Sequence, residues 1–428
     1  MLRILARTAA PAAAAAVMVA ALPGIAQAAP ASTPVPCDPA TLASDISGAA
    51  SGATLGLPAG CVYVLTMPLP TVSQNLTING NGATVERSTA AGTPAFEILT
   101  VSGGTLSLHK LSFTNGDGAI LVTQSGNLSV SGGTFSQNQA PQGGAIDIEG
   151  GASKETITNA TFTGNTATGA GGEGGAIYNG LNAGTTVTKC TFTGNQAAAG
   201  GALFDFAVYG ATITSSSFTG NTATNGGAIA SDPIGGESLS KDTISGNSAS
   251  QDGGGISNAY ALMSIQNSLI TGNQAGGDGG GLYQYSLEYG EVGPDLTSTR
   301  VTKNSAANGG GIYINASVAD LTGSTVSGNT ATADGGGIDN AGSFRSFDTL
   351  NLATSKITSN HAGAEGGGVY NVGDVSATST PITYNTAAGG GGIYDGPGTD
   401  TVTLTTSGVQ HNKIDNCEPA ASIPGCTG

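Results

Sequence analysis

Six aromatic side chains supply the first chemical suggestion in this sequence. Tyr178, Phe204, Tyr283, Tyr313, Tyr370 and Tyr394 each directly follow the apolar residue of a Gly-Gly-(Ala/Gly)-(Ile/Leu/Val) phrase. Successive side chains of extended backbone face opposite ways, so an inward apolar residue sends its successor outward. That outward position reads Asp147, Tyr178, Phe204, Ala230, Ser257, Tyr283, Tyr313, Asp339, Tyr370 and Tyr394. Only 5% of the chain is aromatic, so six rings in ten such positions amount to a stripe. Exposed rings suit the apolar C–H faces of sugars. Tyrosines that merely cover one another in a strand ladder would give the same pattern without a ligand.

A second column stands just before the Gly pair: Gln142, Glu173, Ala199, Asn225, Asp252, Asp278, Asn308, Asp334, Glu365 and Gly389. Asp252 and Asp278 would be neighbours, and their repulsion invites either Ca²⁺ or a shared proton. Solvated turn acids are the plainer reading. Catalysis by paired carboxyl groups needs them ~5 to 9 Å apart across a cleft. Beyond the first 28 residues, arginine is limited to Arg87, Arg300 and Arg345, and His109, His361 and His411 are scattered, so no base, acid and electrophile converge. Cys190 falls in a column of small residues, two before Phe192, and reads as a buried thiol.

Two stretches are long enough to carry inserted loops. From the apolar residue after the Gly pair to the apolar residue of the next Asn phrase the count is 19 for Leu282 to Val301 and for Ile338 to Ile357, against 13 to 16 elsewhere. They hold Tyr285, Glu288, Tyr289, Glu291, Phe344, Arg345, Phe347 and Asp348. Loops on a rigid frame concentrate binding residues, which makes Tyr285, Tyr289 and Arg345 candidates.

The element that must position these groups is a repeat. An apolar residue, two further residues and Asn recur with Asn at 138, 165, 195, 221, 247, 273, 304, 329, 360, 385 and 412, spaced 25 to 31 apart. Helical and strand repeats share such periods. Alternating Thr, Val, Ile and Ser decide for strands, and the Gly runs would each cost a helix ~1 kcal/mol per residue. Parallel strands this short leave no room for crossover helices, so the chain must coil, three strands per rung, each pairing with its equivalent one rung later. Asparagines then form a ladder that satisfies polar groups otherwise buried at ~1 to 3 kcal/mol each. Phe135, Phe162, Phe192, Phe218, Ile244, Ile270, Val301, Val326, Ile357, Ile382 and Val409 stack inside.

The two phrases together resemble the repeats of the chlamydial polymorphic membrane protein family and, more broadly, secreted right-handed parallel β-helix repeat proteins. The resemblance covers roughly residues 60 to 415 and supplies the handedness. The expected fold is all-β: a single-stranded, right-handed parallel β-helix of about 12 to 13 rungs with small caps.

The ends fit that plan. Residues 1–28 read as a secretory signal peptide, with basic Arg3 and Arg7, an apolar run from Ala9 to Leu22 and Ala26-Gln27-Ala28 before cleavage. Residues 29–62 form an N-terminal cap with a short helix after Asp38, 63–415 the β-helix, and 416–428 a C-terminal loop. Cys37 with Cys61 and Cys417 with Cys426 pair most simply, one disulfide at each end, in an oxidising destination. Without the first 28 residues the net charge is −18, which argues against nucleic acid as partner. No segment beyond the signal offers the ~20 apolar residues of a membrane span.

The functional expectation is a secreted, monomeric extracellular module that binds a polysaccharide or cell-surface glycan in adhesin-like fashion, with Ca²⁺ as the one candidate cofactor. A polysaccharide lyase or glycoside hydrolase is the alternative from fold resemblance. A purely structural rod is the third reading.

Overall fold

The computed structural model describes residues 32–123, 126–150, 154–180, 184–232, 235–260, 262–286, 293–315, 317–342, 349–397, 401–419 and 423–426. One turn shows how the sequence is used. Thr212–Thr214 and Ser217–Thr219 lie in one sheet, Thr222–Ala223 in a second and Ile229–Ser231 in a third. Each pairs in parallel with its counterpart one repeat later: Glu237–Ser240, Thr243–Ser245, Ser248–Ala249 and Ile256–Ala259. Repetition gives a right-handed parallel β-solenoid of about 14 turns, with sheets of 27, 13, six and two strands among the described residues.

The expected three strands per rung are therefore four segments in three sheets. The first sheet is folded at a residue in left-handed backbone, such as Lys189, Ser215, Lys241 or Asn267, with φ of 54°, 55°, 61° and 51°. A single residue in this region makes a sharp corner without a Gly. That is why no Gly signal marked the bend.

The apolar column is as expected. Phe113, Phe135, Phe162, Phe192 and Phe218 stack with centroids 5.4, 4.9, 4.8 and 4.6 Å apart, fully buried. Ile244, Ile270, Val301, Val326, Ile357 and Ile382 continue it. Beside it runs the asparagine ladder. Each side-chain amide donates to the next Asn Oδ1, from Asn138 to Asn165 at 3.0 Å through to Asn385 to Asn412, also 3.0 Å. Each also donates to a carbonyl of the preceding turn, as Asn247 does to Phe218 at 3.1 Å.

Cys190 heads a second ladder. Its N–H donates to Ser216 Oγ, Ser216 N–H to Asp242 Oδ1 and Asp242 N–H to Ser268 Oγ, at 3.1, 2.7 and 3.1 Å. The thiol is free and buried, 3.4 Å from the Thr188 carbonyl, and burial pushes its pKa up to about 11.

The Gly pair has a steric reason. Gly335 has φ of +64°, and a Cβ there would lie 2.5 Å from Asp339 Cβ; one on Gly336 would lie 2.6 Å from the carbonyl oxygen of Gly367 in the next turn. The turn thus folds back against the residue after the apolar one and packs closely on the following rung.

One feature of the interior departs from the expected apolar filling. Two positions after the apolar residue the third-sheet strands turn inward again, and there stand Asn179, Asp205, Ser231, Asn258, Gln284, Asn340 and Asn371, all buried. Asn179 donates to Asp205 Oδ1 at 2.6 Å, Asp205 Oδ2 accepts from Ala211 N at 2.7 Å, and Ser231 bonds Glu237. These contacts anchor the connection from the third sheet back to the first, whose backbone polar groups need partners once buried.

The two expected disulfides are present, and a helix follows Asp38. Pro39–Gly48 is a helix with Asp38 as N-cap, accepting from Thr41 N at 2.7 Å, and Leu42 and Ile46 are buried beneath it. Cys37–Cys61 and Cys417–Cys426 are bridged. Cys417–Glu418 is the last strand of the 13-stranded sheet.

Candidate functional site

The third sheet carries the aromatic positions, and its register puts them in one line. Asp147 pairs with Tyr178, and the line continues through Phe204, Ala230, Ser257, Tyr283, Tyr313, Asp339, Tyr370 and Tyr394 to Glu418. The rings occur as three stacked pairs: Tyr178 with Phe204, Tyr283 with Tyr313 and Tyr370 with Tyr394, at 5.9, 5.4 and 5.5 Å, with planes within 5°, 8° and 4° of parallel. At ~4.8 Å per rung the pair centres are ~19 and ~14 Å apart along the axis.

The line is not the evenly exposed stripe that alternation alone implied. Phe204 is 7% exposed and backs the Tyr178 ring, while Asp147 and Asp339 are 9% and 3% exposed. The returning Gly turn is the cause, since it lies against this line, as Gly335 does against Asp339. What remains accessible is a set of half-buried tyrosines. Tyr285 joins them at the centre: it lies two residues after Tyr283 on the same face and meets Tyr260 edge-on at 5.7 Å. Tyr289 and Arg345, with the rest of the second inserted loop, lie outside the described residues.

Acids flank the rings. Asp252, Asp278, Asn308, Asp334 and Glu365 form a ladder of their own: Asp278 N–H donates to Asp252 Oδ1 at 2.8 Å, Asn308 Nδ2 to Asp278 Oδ1 at 2.9 Å, and Glu365 N–H to Asp334 Oδ1 at 3.0 Å. Asp252 and Asp278 thus have structural partners of their own in the turn. Among the described residues no group of three or more His, Cys, Asp or Glu is arranged to hold a metal.

Burial, then these carboxylates, keep the phenols protonated. Tyr178, Tyr283 and Tyr370 are pushed up to about 12, and Tyr313 higher, with Asp339 and Asp278 beside it. Burial, then the Glu365 carboxylate, raises the Tyr394 phenol as well. Burial, with Asp278 and Asp334 nearby, raises Asp339 well above the ordinary carboxylate range. At the N-terminal end of the line Glu97, beside Asp147, Asp117 and Glu149, is raised to about 8 and Asp147 to about 7, again chiefly by burial. The face therefore offers flat rings, hydroxyl donors and carboxyl acceptors in rows, which is a hydrogen-bonding complement to polyols.

Lys110, Lys154, Lys189, Lys241, Arg300 and Lys356 lie on the 27-stranded sheet or at its corners. None of the described lysines or arginines lies in the third-sheet strands.

These features define the chain as a right-handed parallel β-helix. The family model described as "right handed beta helix region" matches residues 73–197, and the Chlamydia polymorphic membrane protein repeat matches residues 215–232. No curated protein matches the sequence. Among solved structures the chain is similar to a periplasmic alginate epimerase, AlgG, with 13% identity, TM-score 0.50 and 83% of each chain covered. It is also similar to tailspike protein 3 of bacteriophage CBA120, at 13% identity and TM-score 0.39, covering 89% of this chain and 58% of the tailspike. No helix among the described residues is long and apolar enough to cross a membrane.

Proposed function

We propose that the protein is an extracellular glycan-binding rod that holds a polysaccharide along the third-sheet face. The observation that carries this reading is the register of three stacked aromatic pairs, each bordered by carboxyl acceptors, on a single rigid sheet. A repeating polymer meets a repeating surface, so several weak contacts add through one chain. The likeness in fold to an epimerase whose name specifies alginate supports a polysaccharide as the class of ligand. The two disulfides suit an oxidising, extracytoplasmic setting.

A glycan array followed by affinity electrophoresis tests this. The parent chain is expected to be retarded by at least one polysaccharide, and Tyr283→Ala with Tyr313→Ala to lose that retardation while still unfolding in one cooperative transition. Retention on no polysaccharide, or equal retention by the double variant, refutes the reading. Assay of the same mixtures for reducing ends and unsaturated products separates binding from turnover; the expected result is binding alone.

A further inference from the structure

Asp339 is the outlier of the aromatic line. It sits between Tyr313 and Tyr370 in register. Each of those tyrosines already stacks on a partner away from Asp339, Tyr313 on Tyr283 and Tyr370 on Tyr394. Their other faces confront each other across the Asp339 rung, two rungs or ~10 Å apart by strand spacing. That separation admits one flat group between the rings. The carboxyl on that rung lies under the returning Gly turn and is 3% exposed, so a ligand reaches it only as that turn shifts; its Oδ1 accepts no hydrogen bond among the described residues. A buried acceptor without a partner is costly, and a ligand donor that reaches it removes the cost.

The charge around it selects the donor. The carboxylates of Asp278 and Asp334 act electrostatically on Asp339, those of Asp278 and Asp252 on Tyr313, and those of Asp334 and Glu365 on Tyr370. No lysine or arginine stands in the described strands of this sheet. A polyuronate would meet like charge along the whole row. An ammonium group meets opposite charge and two π faces at once.

Resting on the reading of this face as a glycan platform, we propose that the slot of Tyr313, Asp339 and Tyr370 takes a primary ammonium group carried on a sugar ring, so that the ligand is an amino-sugar polymer with free amines. Entry of the cation ionises Asp339, whose proton passes to solvent. Binding is therefore linked to proton release.

Titration calorimetry of the full chain with glucosamine tetramer and with its fully N-acetylated counterpart tests the proposal. The free amine is expected to bind at least ~10-fold more tightly, as a charge-assisted contact requires. Its apparent enthalpy should differ between acetate and MES buffers at about pH 5.5, where the amines already carry their proton and only Asp339 releases one. Asp339→Asn should bring the two tetramers within ~2-fold of each other and abolish the buffer dependence. Spermine, which has charge without rings, should bind more weakly than the glucosamine tetramer. Equal or tighter binding of the acetylated tetramer overturns the proposal while leaving a glycan-binding face intact. Binding of neither tetramer, together with no retention on any polysaccharide, removes the platform itself. An amine preference that survives in Asp339→Asn, or spermine binding as tight as the sugar, also overturns it.

Discussion

Asn273 Oδ1 accepts two hydrogen bonds from Asn247 at once, from the backbone N–H at 3.0 Å and from the side-chain amide at 2.9 Å. Its own amide donates to the Ile244 carbonyl and to Asn304 Oδ1, both at 3.0 Å. One side chain thus closes four contacts in a dry turn. Asn273→Ala leaves buried donors and acceptors unpaired and is expected to cost at least ~3 kcal/mol. Asn273→Asp keeps the acceptor but loses the donor, so it is expected to be no better. Urea unfolding of both variants checks this, and a cost under ~1 kcal/mol for the Ala variant would show that the ladder is decoration.

Stability should fall as pH rises. Glu97, Asp147, Asp205 and Asp242 are raised, mainly by burial, to about 8, 7, 6 and 6, and Glu237 and Asp339 well above their ordinary values. A folded state that prefers the protonated acid gains its full benefit below the unfolded value near 4 and loses it as pH climbs through the folded value. The window of loss therefore runs from about pH 4 to about 8. Thermal unfolding is expected to show a higher Tm at pH 5 than at pH 8.5. A Tm that rises across that interval contradicts the assignment.

Cys190 should be chemically silent in the native rod. Burial and a thiol pKa pushed up to about 11 leave almost no accessible thiolate at pH 8. Ellman's reagent is expected to find no reactive thiol in the folded protein and one per chain in denaturant. Stoichiometric reaction under native conditions would show that the second ladder opens.

The repeat made most of this architecture readable. The Asn spacing located the ladder, the residue three before each Asn located the apolar column, and Cys37, Cys61, Cys417 and Cys426 paired at the two ends as their positions suggested. The inward polar residues were missed for a physical reason. Asn179 and Asp205 occupy strand positions that pattern reading reserves for apolar groups, and only the connection they anchor justifies them. The corners at Lys189 and Ser215 carried no Gly or Pro. The aromatic line was found by alternation, but its interruption by buried Asp339 was not, because exposure there is set by the returning Gly turn rather than by strand phase.

The most direct test of the glycan platform is the length dependence of oligosaccharide binding. Along the line, the pair of Tyr283 and Tyr313 lies ~14 Å from the pair of Tyr370 and Tyr394. Calorimetry over an oligomer series is expected to show a step of at least ~10-fold in affinity once the ligand can span that interval, with the step lost in Tyr370→Ala. Affinity that does not change with length, or a step that persists without Tyr370, contradicts a polymer lying along the rod.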